Sequence, residues 1–85
     1  MDLETLRGQV DLVDDSLLDL LSMRGELAKS IGQAKAEAGL PVRDPAREAA
    51  VVSRLLALAD GHPYPPEALG RIFGVIFEET AKLQG

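Results

Sequence analysis

The chain has 85 residues, 46% apolar and 27% charged, which suits one domain and argues against disorder, although a monomer of this size buries only a modest core. Its net charge of −5 argues against a general nucleic-acid binder and against attraction to anionic membranes, and no apolar run approaches the ~20 residues of a membrane span. Cysteine is absent and His62 is the only histidine, which leaves no disulfide framework, no thiol chemistry and too few ligands for a protein-only zinc site.

The opening MDLETLRGQV has neither a basic n-region nor an apolar h-region. We therefore expect no signal peptide, a cytoplasmic protein, and a single domain over residues 1–85. From about Leu3 to about Ala38, apolar residues recur at Leu3, Leu6, Val10, Val13, Leu17, Leu20, Leu27, Ile31, Ala34 and Ala38. The spacing alternates three and four, the pattern of a helix with one apolar seam. Gly8, Gly25 and Gly32 each cost such a helix up to ~1 kcal/mol, but no proline interrupts it. Gly39 suits a left-handed cap and Pro41 cannot continue the helix.

A second helix is predicted to start at DPARE, with Asp44 as N-cap and Pro45 in the first helical position. Its apolar face is Val51, Val52, Leu55, Leu56 and Ala59, and the glycine and prolines of DGHPYPP, residues 60–66, break it. A third helix runs from about Pro66 to about Leu83, with Leu69, Ile72, Phe73, Ile76 and Phe77 as its inward stripe. No segment alternates with period two, so the fold class is all-α, one long helix and two shorter ones. About 36 residues of helix measure ~54 Å, whereas a compact globule of this length is only ~30 Å across. The long helix must project beyond any monomeric core with its seam uncovered. A second copy is the simplest cover, and we expect an intertwined helical homodimer.

Polar residues at positions where the periodicity calls for apolar ones carry the functional signal. Arg24 falls in the seam between Leu20 and Leu27. It could snorkel with its stem packed, or pair with a ligand carboxylate. Lys35 follows eleven residues later, ~16 Å along nearly the same side, where it could be a solvated lysine or the far wall of a site. Arg47 and Glu48 border the apolar stripe of the second helix. The helix dipole alone explains Glu48, and capping alone explains Asp44. Arg47 gains nothing from that dipole and calls for an anion, whereas Arg43 reads as ordinary surface. Thr80 and Gln84 extend the stripe of the third helix and need hydrogen-bond partners there, unless the chain end frays. Arg7 borders the seam ~25 Å from Arg24, too far to join it within one chain, but a partner's Arg7 could reach it in an antiparallel-like dimer. Together these residues describe a pocket of several cations, one carboxylate and two neutral donors. Its complement is a small molecule with two carboxylates and a hydroxyl, an ether being among the groups it could take. There is no nucleophile–base pair and no Gly-rich phosphate loop.

The ordered set of Arg7, Arg24 in its R-x-E-L-A context, Lys35, PVRDPARE, Thr80 and Gln84 resembles the all-helical (type II) chorismate mutases over essentially the whole chain. The resemblance implies the rearrangement of chorismate to prephenate, on the route to phenylalanine and tyrosine, with no cofactor and no metal. It assigns Arg24, Arg47 and Arg7 of the partner chain to the two carboxylates, with Thr80 in place of a family serine that helps there. Lys35 and Gln84 would donate to the ether oxygen, and Glu48 would accept from the ring hydroxyl beside the backbone N–H of Asp44. The short C-terminus leaves no room within the chain for a fused pathway enzyme, so we expect a standalone enzyme that meets one or a domain cut from a longer protein. Two other readings stand beside the mutase. One is an isochorismate pyruvate-lyase on the same scaffold, against which Glu48 speaks. The other is a non-catalytic regulatory dimerisation module, against which the complete polar set speaks.

Overall fold

The computed structural model describes residues 1–85 as three α-helices: α1 (Leu3–Ala38), α2 (Pro45–Leu58) and α3 (Pro66–Gln84). The helix ends at Gly39, Asp44 and Pro45 follow the predicted signals, and the structure adds a cap at the start of α1. Asp2 caps α1 by accepting from the Thr5 amide at 2.7 Å, and that bond holds the Asp2 carboxyl below its ordinary value. Gly39 closes α1 with φ of 69°, donating its N–H to the Ala36 carbonyl. Asp44 caps α2 by accepting from the Arg47 amide at 3.0 Å, with Pro45 in the first turn. The third helix extends one residue beyond the predicted Leu83, so Gln84 is helical, and Gly85 donates to the Ala81 carbonyl at 2.9 Å.

Both α1 and α2 pack against α3 and not against each other. The predicted seam of α1 is not the face that does this. Ala28 and Gly32 are its buried residues, one position over from Leu27 and Ile31, which stay 64% and 49% exposed. Small residues explain the difference, because they let α3 approach closely: Gly32 lies against the backbone of Gln84, and Gly25 against the side chain of Leu83. These two glycines weaken α1 locally and are used in its packing. On α3, Phe77 is buried and Leu69, Phe73 and Ile76 are half-buried, but Ile72 faces solvent, contrary to the predicted stripe.

The molecule measures 54 × 24 × 16 Å, and its radius of gyration of 15.9 Å exceeds the ~12 Å of a compact chain of this length. Only Ala28, Gly32 and Phe77 are buried. Along the N-terminal half of α1, Leu3, Leu6, Val10, Val13, Leu17 and Leu20 are all exposed. No helix is long and apolar enough to cross a membrane.

Candidate active site

The C-terminal half of α1, the corner before α2, the first turns of α2 and the end of α3 enclose a cavity of about 310 Å³. That volume is at the lower end for a small-molecule site. Its apolar wall includes Leu27, Ala28, Ile31, Val51 and Phe77. The predicted residues Arg24, Lys35, Asp44, Arg47, Glu48, Thr80 and Gln84 all line it. Arg7 does not. It lies near the far end of α1, exposed and paired with Glu4 at 3.1 Å, as its distance from Arg24 along the helix requires.

Arg24 leaves α1 half-buried, with its guanidinium 5.8 Å from the centroid of the Phe77 ring, within cation–π range. Its Nη1 donates to Thr80 Oγ1 at 2.8 Å. Accepting that bond leaves the threonine O–H able to donate into the cavity. The bond also fixes the fork of Arg24 across 56 residues of sequence. Arg7, Lys29, Arg43 and Lys82 each hold a carboxylate, and of the five cations that hold none, Arg24, Lys35 and Arg47 line this cavity while Arg54 and Arg71 do not.

Lys35, in the last turn of α1, joins three parts of the chain. Its Nζ donates to the Val42 carbonyl at 2.7 Å and to Gln84 Oε1 at 3.0 Å. An ammonium has three N–H donors and no acceptor, so one donor remains. The same logic sets the Gln84 amide. Only its oxygen can face the ammonium, which turns the two N–H bonds of Nε2 away from Lys35. Both residues line the end of the cavity where α1 and α3 meet, each with N–H groups still free to donate. The chain end is not frayed: Gln84 is half-buried, tied to Lys35, and seated on Gly32.

Glu48 occupies the first turn of α2 and is 24% exposed. Arg43 grips it with both arms of its fork, Nε and Nη2 each donating to one carboxylate oxygen at 2.8 Å. That bonding holds the Glu48 carboxyl below its ordinary value of 4.5, Lys35 adding a smaller push in the same direction while burial and Asp44 oppose it. Arg43 is thus a wall of the cavity and not ordinary surface, which corrects the expectation from sequence. The available signal was a cation just outside the N-cap, five residues before a glutamate that borders an apolar stripe. Its meaning depends on how the Leu40–Asp44 corner folds back, which the pattern does not encode.

Comparison with known proteins shows the family. The family profile "Chorismate mutase type II" matches residues 6–85. The chorismate mutase of Methanocaldococcus jannaschii is 30% identical over 82 residues, covering 96% of this chain and 83% of that protein. The bifunctional chorismate mutase/prephenate dehydratase of Aquifex aeolicus is 36% identical over 98% of this chain. This chain spans only 20% to 24% of the length of the Aquifex aeolicus, Enterobacter agglomerans and Escherichia coli relatives. Among solved structures, chorismate mutase (form II) from Thermus thermophilus superposes with a TM-score of 0.92 at 38% identity, covering 96% of this chain and 92% of that one. With its profile and its helical architecture in agreement, the chain belongs to the type II chorismate mutase family.

Proposed function

We propose that the chain catalyses the rearrangement of chorismate to prephenate as a cytoplasmic homodimer whose sites each take Arg7 from the other copy. The observation that carries the activity is the division of labour inside the cavity. Arg24 and Arg47 line it with no carboxylate partner, while Lys35 and Gln84 lie bonded at one end, each with N–H groups free to donate. A dianionic substrate meets the first pair, and an ether oxygen the second.

The reaction is pericyclic and intramolecular, so the protein's task is to select a conformer and stabilise charge. Salt bridges to both carboxylates hold the reactive chair. Breaking the C–O bond leaves negative charge on the ether oxygen, and donors already aimed at it bind the transition state more tightly than the ground state. Thr80 supports this by orienting Arg24 and keeping its own O–H for a carboxylate. Glu48 accepts from the ring hydroxyl beside the Asp44 amide.

The assembly follows from the exposed seam. Covering Leu3 to Leu20 with a second copy removes that surface from water, at roughly 25 cal/mol per Å² of apolar area. Bifunctional relatives in which a mutase accompanies prephenate dehydratase support a role joined to, or beside, another enzyme of aromatic biosynthesis.

The test is to add purified protein to chorismate and identify the product. Prephenate, lost in Arg24→Ala, is the expected result, whereas pyruvate released from isochorismate, supplied in a parallel assay, with chorismate left unchanged would identify the lyase. Binding without turnover would identify a sensing module. Mixing inactive Arg7→Ala with inactive Arg24→Ala tests the shared site. Exchange of subunits rebuilds one intact site per mixed dimer and should restore about a quarter of the wild-type activity. No recovery after exchange would place each site within one chain.

A further inference from the structure

Nothing in the proposed mechanism uses Arg43, yet it makes the only two-pronged ion pair in the molecule. We infer that Arg43 is a positioning residue for the proposed reaction, orienting Glu48 and offsetting its charge so that a carboxylate can face a dianionic substrate.

The chemistry of the cavity creates the need. A carboxylate that accepts from a substrate hydroxyl must stand beside a substrate that itself carries two negative charges. Unpaired, it would repel that substrate. Arg24, Lys35, Arg43 and Arg47 set four cations against the carboxylates of Asp44 and Glu48. Removing Arg43 leaves three against two, and removes the cation nearest Glu48.

Geometry supplies the means. The fork of Arg43 meets the two oxygens of Glu48 in parallel, each at 2.8 Å. This bidentate arrangement fixes the plane of the carboxylate as well as its position. A carboxylate has about four acceptor directions, and the fork occupies two, which leaves acceptor capacity for a hydroxyl. Arg43 is the more exposed partner, at 49% against 24%, so it backs Glu48 from the solvent side. The other charged groups around the pair are Asp44 and Arg47 beside it on α2, Lys35 facing from α1, and Glu78 of α3 near the guanidinium. None of them approaches Glu48 with a fork.

The test uses the 85-residue chain with Arg43→Ala, Arg43→Lys, Glu48→Gln and the double variant Arg43→Ala/Glu48→Gln. Carbon-13 NMR of the Glu48 carboxyl, without substrate, should show it titrating at higher pH in Arg43→Ala than in the wild type. With chorismate, kcat/KM of Arg43→Ala should fall on the order of ten- to a hundredfold, as expected for a displaced catalytic group. The acid limb of its pH profile should move up in step with the NMR titration. Arg43→Lys restores the charge without the fork and should recover KM more than kcat. In the Glu48→Gln background, Arg43→Ala should cost nothing further. An unchanged Glu48 titration overturns the inference. So does an undiminished cost of Arg43→Ala in the Glu48→Gln background, which would mark Arg43 as a direct substrate contact. If the wild type does not turn over chorismate, the proposed function fails, and the substrate-free titration still decides whether Arg43 governs Glu48.

Discussion

Replacing Gly32 by alanine should separate catalysis from folding. A Cβ built on Gly32 would lie 2.8 Å from Gln84 Cα, 3.0 Å from its Cβ and 3.1 Å from its carbonyl oxygen. Carbon atoms rest at about 3.5–4.0 Å, so the last turn of α3 must retreat by roughly 1 Å. The bond from Lys35 to Gln84 is 3.0 Å long and does not survive that retreat. Stability changes by a comparable or smaller amount. Removing a glycine from a helix interior gains up to ~1 kcal/mol, whereas overpacking costs about 1–3 kcal/mol. The net loss is thus ~0–3 kcal/mol, which thermal unfolding reads separately from the rate. A catalytic donor displaced by 1 Å costs on the order of a hundredfold in rate, equivalent to about 2.7 kcal/mol. The measurements are kcat/KM on chorismate and thermal unfolding, on Gly32→Ala, Gln84→Ala and the double variant. Gly25→Ala serves as the control, because its Cβ would meet Leu83 at an ordinary 3.5 Å and should leave turnover intact. The reasoning is refuted if Gly32→Ala retains wild-type turnover, or if its loss simply adds to that of Gln84→Ala.

Other perturbations give distinct readouts. Lys35→Ala removes a donor from the proposed ether site and frees both Val42 and Gln84, so kcat/KM should fall by ~3–4 kcal/mol of transition-state stabilisation; near-native turnover would remove Lys35 from the mechanism. Thr80→Val deletes the acceptor that orients Arg24 and should cost about 1–2 kcal/mol in kcat/KM, with the melting temperature as the check on folding. Asp44→Ala loses the cap of α2 and should destabilise the protein by ~1 kcal/mol, read as a lower melting temperature. The pH dependence follows from Glu48, whose folded pKa is lowered by Arg43 from an ordinary 4.5. The stability this pair contributes is fully present above that ordinary value and is lost as pH falls through the lowered one. Activity should accordingly be flat from neutrality down to about pH 5; a steep fall in kcat between about pH 5 and 8 would contradict this.

Most of the architecture is legible in the sequence because its signals are local. Gly39, Asp44, Pro45 and the glycine and prolines of residues 60–66 act within one turn of where they stand, and the helix bounds follow them. Arg24 and Lys35 stand out because they interrupt an apolar period. What the period does not encode is which side of α1 receives α3. Leu27 and Ile31 carry the hydrophobic signal, but Gly25, Ala28 and Gly32 take the contact, since closeness of approach depends on what is missing from a side chain. Ile72 belongs to the same apolar period as Phe73 and Ile76, yet it is 46% exposed in the single chain. Arg43 was hidden because its partner is reached through a corner whose path is set by Gly39, Pro41 and the Lys35–Val42 bond. The pairing of Lys35 with Gln84 spans 49 residues, so only the resemblance to a family brought those two together before the structure did.

The contact between Gly32 and position 84 has an evolutionary side. A Cβ at Gly32 would meet the α-carbon, the carbonyl oxygen and the β-carbon of Gln84, atoms common to every residue but glycine. The seat therefore recognises the main chain and leaves the rest of that side chain to selection. A glutamate would settle into the same turn with no repacking, opposite the same lysine. As a carboxylate it could only accept, and it would donate to an ether oxygen only when protonated. One conservative substitution at the end of the chain is thus enough to turn a catalyst indifferent to neutral pH into one tuned to an acidic setting, with the scaffold inherited intact.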